Sequence, residues 1–399
     1  MSVCPVEYWI WLQTALGAGA QTSEILAYFE SPEKLYLAGS DEWRLSGLFT
    51  EKKIQALKNS TPSETAEVFK ECRGKGYNII TPDSELYPQR LKDLSDMPLV
   101  IYGIGDCSVL KDTVSVGIVG TRNASAYGIE TAQKLSYRLA QAGATIVSGG
   151  ALGIDSEAHA GAMLAKGRTF AFLGCGLSYN YLKENAALRR AITRYGAVFS
   201  EYQPFTPPSR ATFPIRNRLI SGSSLGVVVI EAGVKSGSLI TANRALDQGR
   251  DVFAVPGDIV RSSFDGTNHL IKNGATPVFS AEDVLGEYEF LYGDLFDIEK
   301  AREPLNKVQY VDYRKPNAKK EKIKTIPQEE VIPVKKQELS DDVSQEAKVI
   351  YGVLNEEPMH IDDIIRKTGM KMNMVLSSLT ELELTGAVEQ VTGKKYKIM

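Results

Sequence analysis

Apolar residues recur along this chain in two alternating periods. Short unbroken runs rich in β-formers stand at Val114–Val119, Thr145–Val147, Phe170–Leu173, Val198–Phe199, Gly226–Ile230 and Val252–Val255. Between most of them apolar positions fall at helical spacing, over Ile129–Gln141, Asp155–Ala165, Ala186–Arg194 and Leu239–Gln248. A strand with no polar face must be covered on both sides. Strand–helix alternation supplies those covers, so the pattern predicts a doubly wound α/β domain with a parallel sheet over residues 75–290.

The flanks follow other patterns. Residues 1–74 read as a helical module, in which Glu7–Leu16 and Thr22–Phe29 are helices joined by Gly17-Ala18-Gly19. That turn is either a helix-hairpin-helix (SAM-like) loop offering N–H groups to a DNA phosphate or a plain Gly-linked helix pair. Residues 291–343 read as a linker. Its stretch Glu303–Ser340 carries four prolines and the cluster Arg314, Lys315, Lys319, Lys320, Lys322 and Lys324 without an apolar period. Such a segment cannot repay its ordering entropy. Residues 344–399 regain helical spacing at Ala347–Leu354, Ile361–Thr368 and Met372–Leu384. A hairpin of Ala387–Val391 and Lys395–Ile398 follows, and the whole predicts a winged helix. Its third helix bears Glu381 and Glu383, a poor face for the major groove, while Lys394, Lys395 and Lys397 make a basic wing.

Composition narrows the class. Of 399 residues, 43% are hydrophobic and 24% charged, which excludes a disordered or collagen-like chain. No apolar run reaches the roughly 18 residues of a membrane span, and the start MSVCPVEYWIWLQ lacks a basic n-region. The four cysteines, Cys4, Cys72, Cys107 and Cys175, form no CxxC pair. A reducing cytoplasm is the expected location, without a membrane or a metal site. The net charge of −3 is uneven, since residues 111–285 carry 18 Lys and Arg against 13 Asp and Glu. An anion would sit there.

In an open parallel sheet, ligands bind beyond the carboxyl ends of the strands. Five loops at those ends stand out. Gly117–Ser125 runs from a strand into a helix, with Gly120, Thr121, Arg122 and Ser125 as anion donors. It is not GxGxxG, so it reads as an anion site or a tight turn. Ser148–Asp155 holds Gly149 and Gly150, which permit close backbone approach, and Asp155 suits a helix N-cap. His159, one turn on, packs or caps. In Tyr179–Asn185, two tyrosines beside Lys183 could stack bases or anchor the loop. Phe213–Gly222 places Arg216, Asn217 and Arg218 together. Arginine suits bidentate phosphate contact, although one of the two could instead pair with Glu201 or Glu231. Glu231–Thr241 opens a helix with Lys235, Ser236, Gly237, Ser238 and Thr241, an anion nest without the Gly-Lys-Ser/Thr of a Walker loop. The chain has three histidines, at 159, 269 and 360, and no HExxH, GxSxG or suggestive carboxylate pair. Phosphate donors without acid/base partners read as binding, not turnover.

These segments, in order, resemble the DNA-processing protein A (DprA, or Smf) family of bacteria. The resemblance is carried by GIVGTRNASAYG (117–128), SGGALGIDSEAH (148–159), FPIRNRLISG (213–222), EAGVKSGSLITANRAL (231–246), GRDVFAVPGDI (249–259) and GTNHLIKNGA (266–275). It implies an extended Rossmann-like domain that binds single-stranded DNA and forms homodimers. It implies protection of incoming strands during natural transformation and loading of the RecA recombinase, with no turnover and no cofactor. The family's phosphate pocket falls on Gly120, Arg122 and Ser125. Its basic groove falls on Lys183, Arg216, Asn217, Arg218 and Lys235, with Ser236–Thr241 nearby. Two departures are Thr121, where members commonly have Ser, and Asn180, where they often have Pro. Dimer contacts are expected around Gly266–Val278, with Leu270 and Ile271 as an apolar patch or as core. Two other readings stay open. One is a nucleotide or nucleotide-sugar hydrolase of the phosphoribohydrolase type, using Glu231 or Asp155. The other is a scaffold whose tail meets a protein.

Overall fold

The computed structural model describes residues 4–312, 343–354, 359–385, 387–391 and 395–398. The basic cluster 314–324 lies outside them. The chain forms two compact units, Met1–Val311 and Asp312–Met399.

The first unit is built on a nine-stranded sheet. Its strands are β1 (Asn78–Ile80), β2 (Ile101–Gly105), β3 (Ser115–Val119), β4 (Thr145–Ser148), β5 (Thr169–Leu173), β6 (Gly196–Ser200), β7 (Gly226–Val229), β8 (Asp251–Ala254) and β9 (Thr276–Pro277), in the order β1-β2-β6-β5-β4-β3-β7-β8-β9. From β6 to β9 the pairings are parallel, while β1–β2 and β2–β6 are antiparallel. The six runs read as strands are β3 to β8, and β3 to β7 are buried along their whole length. Helices Ala126–Gln141, Ile154–Leu164, Ala186–Ile192 and Ser238–Asp247 return the chain between strands, as the helical spacing predicts. The chain moves outward from β3 through β4 and β5 to β6, then crosses back to place β7 on the other side of β3. The topological switch point therefore lies between β3 and β7, and there the two loops diverge to leave a crevice.

The outer strands β1, β2 and β9 are not apparent in the apolar pattern. β1 has three residues and β9 two, one of them Pro277, too few to show a period. β2 is interrupted by Gly103 and ends on Gly105.

The N-terminal helices Val6–Leu16 and Ser23–Phe29 form where the sequence places them. The Gly17–Gly19 turn, however, docks on the sheet unit. Gly19 N–H points at the Glu201 carboxylate at 3.4 Å, and Gln13 brackets the backbone of Val100 and Glu201. With Gly17 N–H closing the first helix on the Gln13 carbonyl and Gly19 N–H facing Glu201, this favours the plain Gly-linked helix pair over a phosphate-binding hairpin. The chain also does not leave the domain at residue 290. Helix Ile298–Arg302 buries Ala301, and Glu303 pairs with the buried Arg138 at 2.7 Å. Val311 then exchanges hydrogen bonds with the Gln133 side chain at 2.8 and 3.0 Å.

The second unit packs Gln345–Val353, Ile361–Thr368 and Met372–Leu384 around Ile350, Ile364, Val375 and Leu379. A sheet of β10 (Met359–His360), β11 (Val388–Val391) and β12 (Lys395–Ile398) completes a winged helix, in the order β10-β12-β11. Glu381 is not a free charge on its third helix. It accepts bonds from Ser344 N–H and Oγ at 2.7 and 2.5 Å, which hold its carboxyl below the usual range. In the wing, Lys397 pairs with Glu389 at 3.2 Å.

Candidate nucleic-acid interface

A crevice of about 500 Å³ opens at the switch point. It is floored by the loop after β3, walled by the loop after β7, and closed by the helix Thr212–Gly222. Gly120, Thr121 and Arg122 come from the first loop, Ser236, Gly237, Ser238 and Thr241 from the second, and Arg216 and Asn217 from the helix. Three segments far apart in sequence thus meet where the topology directs them.

The loop crossings explain their composition. Gly153 has φ +78°, and a Cβ there would lie 2.4 Å from the Thr121 carbonyl, so the loops after β3 and β4 cross in backbone contact. Gly149 leaves room for a side chain from elsewhere. A Cβ on it would sit 2.5 Å from Arg216 Nη1, which donates to the Gly149 carbonyl at 2.7 Å and also to the Phe172 carbonyl. The missing side chain admits Arg216 rather than a ligand.

The arginines have different fates. Arg216 is 5% exposed yet lines the crevice. Burial pushes its pKa down, Asp155 opposes the shift, and Arg122 adds to it. Arg122 is exposed, and its guanidinium lies 5.0 Å above the Phe213 ring. Among the described residues no carboxylate lies within ion-pair distance of it. Phe213 holds that plane at the mouth, as a cation–π pair does. Arg210, also exposed and without an ion-pair partner among the described residues, lines the same opening.

Arg218 points elsewhere. It is 1% exposed and bridges Glu201 at 2.7 Å and Asp96 at 3.2 Å under the Gly19 turn. Its expected place in the phosphate groove is corrected by this burial, and the pairing with Glu201 is the one the sequence left open. Burial pushes the Glu201 carboxyl up, against the pull of Arg218.

Ser125 also serves the fold. It caps the helix Ala126–Gln141 by accepting from Gly128 N–H, and its Oγ donates to Glu231 Oε2 at 2.8 Å. Its hydroxyl is therefore not free for a phosphate. The Glu231 carboxylate is buried against Ser125 and Gly128 and does not line the crevice. Asp155 does line it, but its Oδ2 accepts from Gly149 and Ala151 N–H at 3.1 and 3.3 Å. Gly153, not Asp155, occupies the N-cap of its helix. His159 is wholly buried, with Nδ1 2.7 Å from Thr169 Oγ1, and desolvation lowers its pKa to about 3.

Lys183 and Lys235 are exposed and outside the crevice lining. The turn bearing Lys183 is pinned by Asn185, which donates to the Gly150 carbonyl at 3.1 Å. Gly150 itself is a loop former with φ +63°. In the nest, Ser236 Oγ and Ser238 Oγ lie 2.8 Å apart, and Asn217 Nδ2 donates to the Gly237 carbonyl at 3.3 Å. Sequence reasoning missed Arg210, Phe213 and Ile240 in the lining. Phe213 could have been found, because it opens the arginine motif itself. Near the expected dimer segment, Leu270 and Ile271 are half-buried and Val278 is buried.

A doubly wound sheet that brings unpaired arginines to its switch point belongs to the class of phosphate-ligand proteins. Comparison with known sequences then resolves which. The chain belongs to the family described as DNA recombination-mediator protein A, which it matches over residues 78–289, with a DprA winged helix domain matched over 334–394. It is 42% identical to the DNA processing protein DprA of Bacillus subtilis over 238 residues, covering 59% of this chain and 80% of that one. It is 32% identical to Protein Smf of Synechocystis over 98% of both chains. The structure of DprA from Streptococcus pneumoniae superposes with a TM-score of 0.63 at 34% identity, covering 72% of this chain and 99% of that one. The role of the chain is thus in DNA processing, as a mediator of recombination. Among the described residues no helix is long and apolar enough to cross a membrane.

Proposed function

We propose that this chain binds single-stranded DNA in the switch-point crevice, as a homodimer and without catalytic turnover. It thereby protects incoming strands during natural transformation and presents them to the RecA recombinase in the cytoplasm. The observation that carries the reading is Arg122, an exposed guanidinium with no carboxylate within ion-pair distance among the described residues, stacked on Phe213 at the mouth of the crevice. A free cation meets a phosphate, and a ring beside it meets an unpaired base. Duplex DNA withholds its base faces, so this pairing of groups favours a single strand. Arg216 and Arg210 add positive potential, and Thr121, Asn217 and the Ser236–Thr241 nest supply neutral donors. Lys183 and Lys235 are exposed cations for neighbouring phosphates. The half-buried Leu270 and Ile271 are the proposed dimer contacts.

Titration of labelled oligothymidine and of a matching duplex at two salt concentrations tests this. Binding should favour the single strand and weaken with salt, with a slope of about −0.7 in log K per log salt for each phosphate neutralised. Equal affinity for the duplex would remove the single-strand assignment.

A further inference from the structure

A second cleft, of about 280 Å³, lies between the end of helix Ala66–Lys75 and the loops after β5 and β6. We propose that it holds a further nucleotide unit of the same strand, with a phosphate on Arg189 and Lys75 and a base against Phe205 or Tyr179. This rests on the single-strand reading above and extends it to a second subsite.

Three observations carry it. First, Arg189 is half-buried, and Nη1 donates to the Leu182 carbonyl at 3.1 Å. Among the described residues no carboxylate lies within ion-pair distance of it. Burial lowers its pKa, which Cys175 opposes and neighbouring Arg190 reinforces. A guanidinium partly withdrawn from water and not met by a carboxylate is a strong anion donor. Lys75 adds an exposed ammonium to the same cleft.

Second, two large rings stand in solvent there, Phe205 at 63% exposure and Tyr179 at 41%. They are not loose loop tips. Backbone bonds from Gly176 to Thr206 and from Ser178 to Pro204, at 2.9 and 2.8 Å, tie their loops together. Below them Tyr77 and Ser178 hydroxyls lie 3.1 Å apart, and Ser178 donates to Glu71 at 2.8 Å. Exposed rings held on fixed backbone pre-pay the ordering cost of stacking.

Third, Tyr181 stands between one ring of each cleft, beside Phe213 of the first through its ring and beside Tyr179 of the second through its backbone. Arg122 lies over Phe213, the Phe213 ring is 5.5 Å from that of Tyr181, and Tyr181 N–H donates to the Tyr179 carbonyl at 2.9 Å. A strand leaving the first crevice over Phe213 would need to cross only the Tyr179–Tyr181 loop to reach the second. Stacking of this kind tolerates any base.

The test uses the full chain and two oligothymidines, of about 4 and about 16 nucleotides, spanning the known range of single-strand site sizes. Arg189→Ala and Phe205→Ala are compared with wild type and with Arg122→Ala. Phe205 is exposed, so its variant keeps the assay interpretable if Arg189→Ala misfolds. The expected result is a loss of about 5- to 150-fold on the long oligomer for Phe205→Ala, with the short one unchanged. For Arg189→Ala the salt slope on the long oligomer should also fall by about 0.7. Unchanged affinity for the long oligomer in both variants, or equal losses on both lengths, overturns the second subsite. If Arg122→Ala still weakens binding in that case, the first crevice stands alone. Wild-type protein that binds neither oligomer removes the underlying reading as well.

Discussion

Replacing Arg218 by Ala should unfold the protein more readily without touching the switch-point crevice directly. Arg218 is 1% exposed and is the cation between Glu201 at 2.7 Å and Asp96 at 3.2 Å. Glu201 is itself buried, and its other close polar neighbour is Gly19 N–H. Removing the guanidinium leaves a carboxylate in a low-dielectric site where the N-terminal module meets the sheet. Breaking a buried pair on one side costs about 3–5 kcal/mol. For a unit of this size the unfolding entropy is about 0.65 kcal/mol per kelvin, so the midpoint should fall by about 5–8 °C. Circular dichroism melts at neutral pH measure this. Glu201→Gln in the same chain should recover part of the loss, because the orphan is then neutral. Oligothymidine affinity at a temperature where the variant is folded should stay within a few-fold of wild type. A variant that melts like wild type but loses DNA would refute the reasoning and return Arg218 to the groove.

Three further outcomes follow from the same geometry. Gly149→Ala puts a methyl 2.5 Å from Arg216 Nη1, so it should cost about 1–3 kcal/mol in a urea titration and weaken DNA binding by moving Arg216. His159 titrates near 3 when folded but near 6.5 when unfolded, so the unfolded state binds the extra proton between those values. Stability should therefore fall as pH drops from about 6.5 toward 3, by up to about 1.4 kcal/mol per pH unit, and His159→Gln should flatten that slope in equilibrium unfolding. Glu231→Gln keeps an acceptor oxygen for the Ser125 N–H and hydroxyl but makes both bonds neutral, so it should lower stability by about 1–2 kcal/mol. Wild type and this variant should alike release no free base from nucleoside monophosphates in a chromatographic assay, whereas release lost in the variant would favour the hydrolase reading.

The parallel core was legible because β3 to β7 are buried from end to end, so their runs carry no charged residue and only small hydroxyls among the apolar ones. The edges were not, since β1 begins on exposed Asn78 and β9 has two residues. Residue types at the site were legible, but their partners were not. Arg122, Arg216 and Arg218 look equivalent in the chain. Only the fold shows that one stacks on Phe213, one fills the space at Gly149, and one is spent on Asp96 and Glu201. Ser125 misled for a related reason, because a helix cap and a phosphate ligand demand the same hydroxyl. Arg210 sits in a Pro-rich loop whose course no periodicity records.

The central claim is that Arg122 meets DNA phosphate from a single strand. Fluorescence anisotropy of labelled oligothymidine, with wild type and Arg122→Ala at low and moderate salt, tests it most directly. Losing one charge-assisted contact of about 1.5–3 kcal/mol should weaken binding roughly 10- to 150-fold and lower the salt slope by about 0.7, with the melting temperature unchanged. Wild-type affinity and slope in the variant would contradict the account.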